Sequence, residues 1–479
     1  MSSTPKFLAP EGKGSFNPEI TARLLADLRL DNASSARLYP GDKETAQPVH
    51  TVYGGANLFK RDSSAKLGKL ALKALDTYAP NWVVLARALE LPGHASLPVN
   101  LEQAAAYATV HEGGLSARLY SLVREKLEKG AVQDLRIDFE DGYGYRSDEE
   151  EDKHAESSSI ELAEAIKNGS CPPFIGIRVK PLTIELAHRS VRTLDIFITS
   201  LMKQIEKLPA NFVVTLPKVS SYEQVGAMCS LLASLELSLG LDSNSIKLEL
   251  MVETPQAIIA SNGTIALRKF VSVAGPRLRG MHFGTYDYTA SLGIAGHHQS
   301  MDHPACDFAR QVMLSSLSGT GIWLSDGATV KMPIAPHKAA EGEKLSALQE
   351  AENIDAVHKA WQLSFDNISE SLRLGFYQGW DLHPAQFVSR YAALNYFFLQ
   401  GMDECSERLR AFVNKAAQAT LSGNSFDDAA TGQGLLNFML KALACGAVTE
   451  EQLQILSGLS LEELRSRSFA AIVNGRAKL

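Results

Sequence analysis

The sequence predicts an α/β fold of the (β/α)8 barrel kind, with an inserted helical segment after its first strand and a helical extension at its C-terminal end. Three observations predict it. Short apolar, β-branched runs recur eight times along the chain, amphipathic stretches with helical spacing stand between them, and a charged or polar side chain closes nearly every run. Strands alternating with helices call for a parallel sheet covered on both faces, and eight such units suit a closed ring better than an open sheet.

In chain order the runs are residues 49–53, 135–139, 174–179, 212–216, 248–252, 280–284, 321–324 and 379–382. Between them, residues 65–75 place Leu67, Leu70, Ala71 and Ala74 on one helical face. Residues 117–128 do the same with Leu119, Leu122, Val123 and Leu127, and residues 160–166 and 225–235 read alike. The stretch 57–133 is too long for one crossover, so a helical decoration is placed there. The expected organisation is an irregular or helical segment over 1–48, a barrel over 49–400 and a helical extension over 401–479. Beyond Met402 the chain reads as helical throughout, with capping boxes at Thr449-Glu450-Glu451-Gln452 and Ser460-Leu461-Glu462-Glu463. Gly446, Gly458 and Gly475 are the expected stops.

Bulk composition narrows the function classes. The 479 residues are 45% hydrophobic with a formal net charge of -7 and no long Lys/Arg block, which argues against nucleic acid and anionic membrane surfaces as partners. No apolar run has the length of a bilayer span, and Met1 to Lys13 lacks a secretory apolar core. Five scattered cysteines without C-x-x-C spacing fit neither a disulfide framework nor a structural zinc site. The closing Ala477-Lys478-Leu479 is similar to the small-basic-leucine peroxisomal address; the expectation is a peroxisomal protein in a eukaryotic host and a cytoplasmic one otherwise.

The polar groups at the ends of the runs are Glu140-Asp141, Arg178, Lys218, Glu253, Asp287, Asp326 and His383. Barrel active sites form where the C-terminal ends of separate strands converge. Glu253 and Asp287, on neighbouring strands, suit Mg2+ or Mn2+, which take oxygen ligands and leave positions for water and substrate. A 2-keto acid could chelate such an ion, which would polarise its carbonyl and hold an enolate. The alternative is that both carboxylates are ion-paired to Arg178 or Lys218. Arg178 offers a planar fork for a developing oxyanion, or else a structural salt bridge to Glu140 or Glu253. Glu140 or Asp141 could shuttle a proton, and the sequence does not choose between them. Lys218 is either a protonated, paired amine or a Schiff-base nucleophile. Asp138 is read as structural, Asp326-Gly327 as a turn, His383-Pro384 as a helix cap, and Asp148-Glu149-Glu150-Glu151-Asp152 as a solvated helix start.

Six segments in order resemble the superfamily of the citrate lyase β-subunit, malyl-CoA lyase and the metal-dependent 2-keto-3-deoxy acid aldolases. They are Asp138-Phe139-Glu140-Asp141-Gly142, Arg178-Val179, Leu216-Pro217-Lys218-Val219, Glu253-Thr254-Pro255, Gly284-Thr285-Tyr286-Asp287 and Leu382-His383-Pro384-Ala385-Gln386. The resemblance implies Mg2+ held at Glu253 and Asp287, Arg178 on the keto-acid carbonyl, and Glu140-Asp141 beside a metal-bound water. Gly284, Thr285 and Lys218 are expected to line the substrate. It further implies carbon–carbon lyase chemistry on a keto acid or a CoA thioester, in a trimer or hexamer. Malate-synthase-like condensation of glyoxylate with acetyl-CoA is one alternative, and a catalytically silent keto-acid-binding or partner-stabilising relative is another. The chain departs from the family in its length, in the inserted segment, and in lacking both a first-strand phosphate pattern and the aldolases' histidine base; Lys60 and Arg61 are only weak candidates for CoA phosphates.

Overall fold

The predicted ring of eight strands is the architecture of the computed structural model, which describes residues 16–42, 46–98, 100, 102–104, 111–414, 420–422, 425–427 and 429–476. Strands β1 (His50–Gly55), β2 (Asp134–Asp138), β3 (Phe174–Arg178), β4 (Phe212–Leu216), β5 (Lys247–Val252), β6 (Leu278–Phe283), β7 (Trp323–Ala328) and β8 (Gln378–Asp381) pair in parallel in sequence order, and β8 closes onto β1. Every residue of β2, β3 and β4 is buried, as expected of strands covered on both faces.

A first helix, α1 (Pro18–Leu38), precedes the barrel. Helices α2 (Ser63–Tyr78), α3 (Trp82–Ala88) and α4 (His111–Gly130) lie between β1 and β2. Around the ring follow α5 (Asp148–Lys167), α6 (Ala187–Met202), α7 (Tyr222–Leu239), α8 (Pro255–Ile258), α9 (Leu267–Ala274), α10 (Thr285–Ser291), α11 (Pro304–Leu317) and α12 (Ala347–Arg373). After β8 come α13 (Phe387–Asn414), α14 (Ala429–Ala444), α15 (Glu450–Ser457), α16 (Leu461–Ser466) and α17 (Phe469–Arg476). No described helix is long and apolar enough to cross a membrane. The five cysteines are free thiols.

Strand alternation decides what fills the barrel. Arg136 on β2 reaches Glu249 on β5 at 2.6 Å, and Tyr53 on β1 reaches the Met251 sulfur on β5 at 3.7 Å. Both contacts cross the ring, so these side chains point at its axis. The middle of the barrel is therefore polar: Arg136 also donates to Thr215 at 3.0 Å and pairs with Asp134, Thr51 donates to Asp134 at 2.9 Å, and Gln378 donates to Thr51 at 3.0 Å. The apolar core lies outside this ring, under the helices. Trp361 of α12 is fully buried there, its indole N–H on the Ala385 carbonyl at 2.7 Å.

Four local expectations are corrected. The seventh strand runs on past its apolar run through Ser325-Asp326-Gly327, because Asp326 points outward and accepts from Arg310 at 2.9 Å and Ser371 at 2.6 Å. It is a strand residue, not a turn and not part of the barrel mouth. On α2, Leu70 is exposed; the packed face is Gly68, Ala71, Ala74 and Leu75. Small residues set that face, since a Cβ on Gly68 would stand 3.2 Å from that of Ala131. The C-terminal region is not helical throughout: Thr420–Ser422 pairs antiparallel with Ser425–Asp427. Only Gly423 and Asn424 separate those runs in sequence, a dipeptide typical of hairpins. Gly475 lies inside α17 and stops nothing, whereas Gly458 ends α15 in the left-handed conformation. Both capping boxes form as expected, at Thr449 and Ser460. Residues 1–15 and the tail Ala477-Lys478-Leu479 lie outside the described residues.

Candidate active site

At the C-terminal ends of β2 to β6 the structure brings together Asp138, Glu140, Asp141, Arg178, Lys218, Glu253 and Asp287. Arg178, the last residue of β3, is fully buried and held by a two-pronged pair to Asp138: Nε to Oδ1 at 2.7 Å and Nη2 to Oδ2 at 2.6 Å. Asp138 has the structural role read for it, buried and holding Arg178 in place. It also accepts the backbone N–H groups of Glu140 at 3.0 Å and Gly142 at 2.7 Å, which folds the acidic loop over the strand end. Residue 142 has to be glycine for this, as an added Cβ would lie 2.6 Å from the Asp138 carboxylate.

The third guanidinium nitrogen, Arg178 Nη1, faces Glu140 Oε2 at 3.0 Å without hydrogen-bond alignment, and both atoms lack a hydrogen-bond partner. Beneath the guanidinium lie two rings, Tyr53 at 4.5 Å and Trp380 at 5.5 Å, themselves 4.6 Å apart. This aromatic floor escaped the sequence reading. Its one signal is parity: Tyr53 follows inward Thr51 by two residues, and Trp380 follows inward Gln378 by two.

Lys218 follows β4 in the left-handed conformation, φ 50°, an uncommon state for a side chain of this size. That conformation directs its backbone N–H onto Glu253 Oε1 at 2.6 Å. Its ammonium pairs with Glu140, with Asp141 at 3.3 Å and with Asp287 at 3.5 Å. Burial works against that charge, but Glu140 and Glu253 outweigh it and push the lysine pKa up. Glu253 is buried beside Gly284, where an added Cβ would stand 2.5 Å from the carboxylate. Its pKa is pushed up to about 8 by burial, with Asp287 and Glu140 adding repulsion that Lys218 and Arg178 only partly offset.

Glu140 and Asp141 part company. Burial pushes the Glu140 carboxyl up, against the pull of Arg178 and Lys218. Burial acts on Asp141 too, but there Arg178 and Lys218 win and hold it below its usual range; its side chain is 56% exposed. Thr285 is buried with its hydroxyl unpartnered, close against Gly327. His383, proposed as a cap, accepts the Ala385 N–H at 3.2 Å through Nδ1. Lys60 and Arg61 lie outside the cluster, paired with Glu161 at 3.4 and 3.3 Å.

Five carboxylates (Asp138, Glu140, Asp141, Glu253, Asp287) thus surround two cations, Arg178 and Lys218. Among the described residues no three His, Cys, Asp or Glu side chains are grouped to hold a metal by themselves. Mg2+ does not require that, because one or two carboxylates suffice when waters and substrate oxygens complete the shell. The excess negative charge around Glu253, and the all-oxygen donors there, fit such an ion.

A family model described as "Domain of unknown function (DUF6986)" matches residues 28–472. No curated protein matches the sequence. Among solved structures, a citrate lyase from Burkholderia xenovorans LB400 is similar at 19% identity and a TM-score of 0.50, over 71% of this chain and 92% of that one. The Haloferax volcanii malate synthase in its lead(II) complex is 15% identical over 91% of this chain and 99% of that one, with a TM-score of 0.43. The Mycobacterium tuberculosis protein CitE, in complex with magnesium and pyruvate, is 15% identical over 73% and 91%, with a TM-score of 0.34. The likeness to the citrate lyase is one of fold.

Proposed function

The chain belongs to the DUF6986 family, and we propose that its barrel mouth is the active site of a Mg2+-dependent carbon–carbon lyase acting on a 2-keto acid or its adduct. The observation that carries the reading is the surplus of carboxylates around a buried Arg178 that keeps one nitrogen without a hydrogen bond. A purely structural ion-pair cluster would have matched these charges. Glu253 and Asp287 would hold the ion, which when bound supplies a Lewis acid for the keto-acid oxygens.

The protein's own groups divide the remaining work. Arg178, locked by Asp138, presents Nη1 to the oxygen on which charge develops. Glu140 is the proton carrier, since burial raises its pKa while Asp141 stays ionised. In cleavage of a hydroxylated keto acid, the hydroxyl proton passes to the Glu140 carboxylate and the new carbonyl forms. The adjacent carbon–carbon bond breaks, its electron pair enters the enolate whose oxygen faces Arg178 Nη1, and Glu140 returns its proton to the enolate carbon. Lys218 remains an ammonium that organises the carboxylates; the rise in its pKa runs against a Schiff-base role.

Titration calorimetry of metal-stripped protein with pyruvate, glyoxylate and oxalate, with and without Mg2+, tests this. The expected result is binding only with Mg2+, abolished by Glu253→Gln. Binding that ignores the metal, or no binding at all, would return Glu253 and Asp287 to structural ion pairs.

A further inference from the structure

The metal-side residues occupy one half of the mouth, from β4 to β6. The other half, formed by β8, β1 and β3, holds Trp380, Tyr53 and Arg178. Trp380 Nε1 is buried without a hydrogen-bond partner, and Arg178 Nη1 makes no aligned hydrogen bond either, although Glu140 Oε2 faces it at 3.0 Å. Buried donors in native proteins are nearly always matched, so two unmatched ones on touching side chains call for an acceptor. The Trp380 ring lies 5.5 Å from the guanidinium, and both side chains stand on the inward layer above the fully paired Thr51–Gln378 contact. The neighbouring Tyr53 hydroxyl donates to the Met251 sulfur at 3.7 Å and makes no hydrogen bond with the indole.

We propose that Trp380 is a substrate-contacting residue: its indole N–H and Arg178 Nη1 together form a subsite for one substrate oxyanion, a carboxylate or enolate oxygen. The inference rests on the keto-acid reading of the same mouth. It adds a specificity element, since two fixed N–H groups donate to an anionic oxygen and discriminate against a methyl or amino group in its place.

Trp380→Phe keeps an aromatic ring over Arg178 and removes only the donor. With Mg2+ present, oxalate and pyruvate should bind it about tenfold to a hundredfold more weakly than the wild type, as expected for loss of a hydrogen bond to a charged group. A second measurement needs no variant to fold well. The wild-type indole 15N–1H spectrum carries signals from Trp82, Trp323, Trp361 and Trp380, and oxalate should shift the Trp380 signal downfield while leaving Trp323 and Trp361 in place. If wild type binds oxalate but Trp380→Phe binds equally well and no indole signal moves, the subsite is wrong and the keto-acid reading survives. If wild type binds none of the acids with Mg2+, both fall together.

Discussion

The barrel holds two clusters of charge, one above the other, and they are built to opposite specifications. In the middle of the ring, Arg136 uses all three nitrogens, on Thr215, Asp134 and Glu249, and Glu249 also meets His282 at 3.2 Å. None of these side chains appears among the buried atoms without a partner. At the mouth, Arg178 is held as firmly by Asp138 but keeps one nitrogen without a hydrogen bond, and Glu140 and Trp380 beside it each carry a buried atom without one. Buried charge that is fully answered within the fold maintains the fold. Buried charge left partly unanswered awaits a ligand.

The largest effect should come from breaking the answered cluster. Arg136→Met leaves Asp134 and Glu249 buried without their cation, which costs about 3–5 kcal/mol of stability. Chemical denaturation of wild type and variant measures it. A loss below about 1 kcal/mol would mean that the middle cluster does not maintain the barrel.

One carboxylate in each cluster, Glu253 at the mouth and Glu249 in the middle, should respond to pH with opposite sign. Glu253 has its folded-state pKa raised to about 8, above its unfolded value, so its contribution favours the folded state fully below the unfolded carboxylate range and is lost as pH rises through about 8. Burial alone would raise Glu249 as well, yet Arg136 and His282 hold it far below its usual range; its contribution is present above the unfolded pKa and is lost as pH falls. Metal-stripped protein should therefore lose on the order of a few kcal/mol between about pH 6 and pH 9, and Glu253→Gln should flatten that decline without altering the acid limb. Thermal midpoints across that range decide it, and a decline that persists in Glu253→Gln assigns the proton elsewhere.

Arg178→Lys preserves charge at the mouth but not the fork. Lysine has one nitrogen where the guanidinium has three in a plane, so it cannot grip both Asp138 oxygens and reach the substrate oxygen from fixed positions; keto-acid affinity with Mg2+ should fall about a hundredfold, with a smaller stability loss than Arg136→Met produces. Equal affinity in calorimetry would reduce Arg178 to a counter-charge.

How much of this was legible in the sequence follows from the same contrast. All eight strands fall at the runs marked in the sequence, most plainly β1 to β5, which carry β-branched residues, whereas β6, β7 and β8 carry none. The charged residues of the mouth stood out because they terminate those runs. What the pattern did not carry was direction. Asp326 also stands near a strand end, but a register shift between Ser325 and Ala328 accompanies its turn outward to Arg310. Tyr53 and Trp380 passed as ordinary strand aromatics, since only closure of the ring turns them under Arg178. The polar middle layer was hidden for the same reason, because Arg136 and Glu249 are far apart in sequence and meet only across the barrel.

The smallest effect is the one that separates two adjacent carboxylates. Glu140 and Asp141 share the same cations, Arg178 and Lys218, yet burial divides them. Removing a half-exposed charge perturbs little, so Asp141→Asn should change stability by no more than about 0.5 kcal/mol and leave Mg2+-dependent keto-acid binding near wild type. Glu140→Gln removes the group whose proton affinity the site has raised, and it should cut turnover about a hundredfold or more with ligand affinity largely kept. The pair of variants, measured for both binding and turnover on the acid that calorimetry selects, gives a direct answer. A turnover defect confined to Asp141→Asn would move the proton to the exposed residue and make Glu140 a partner of Lys218 alone.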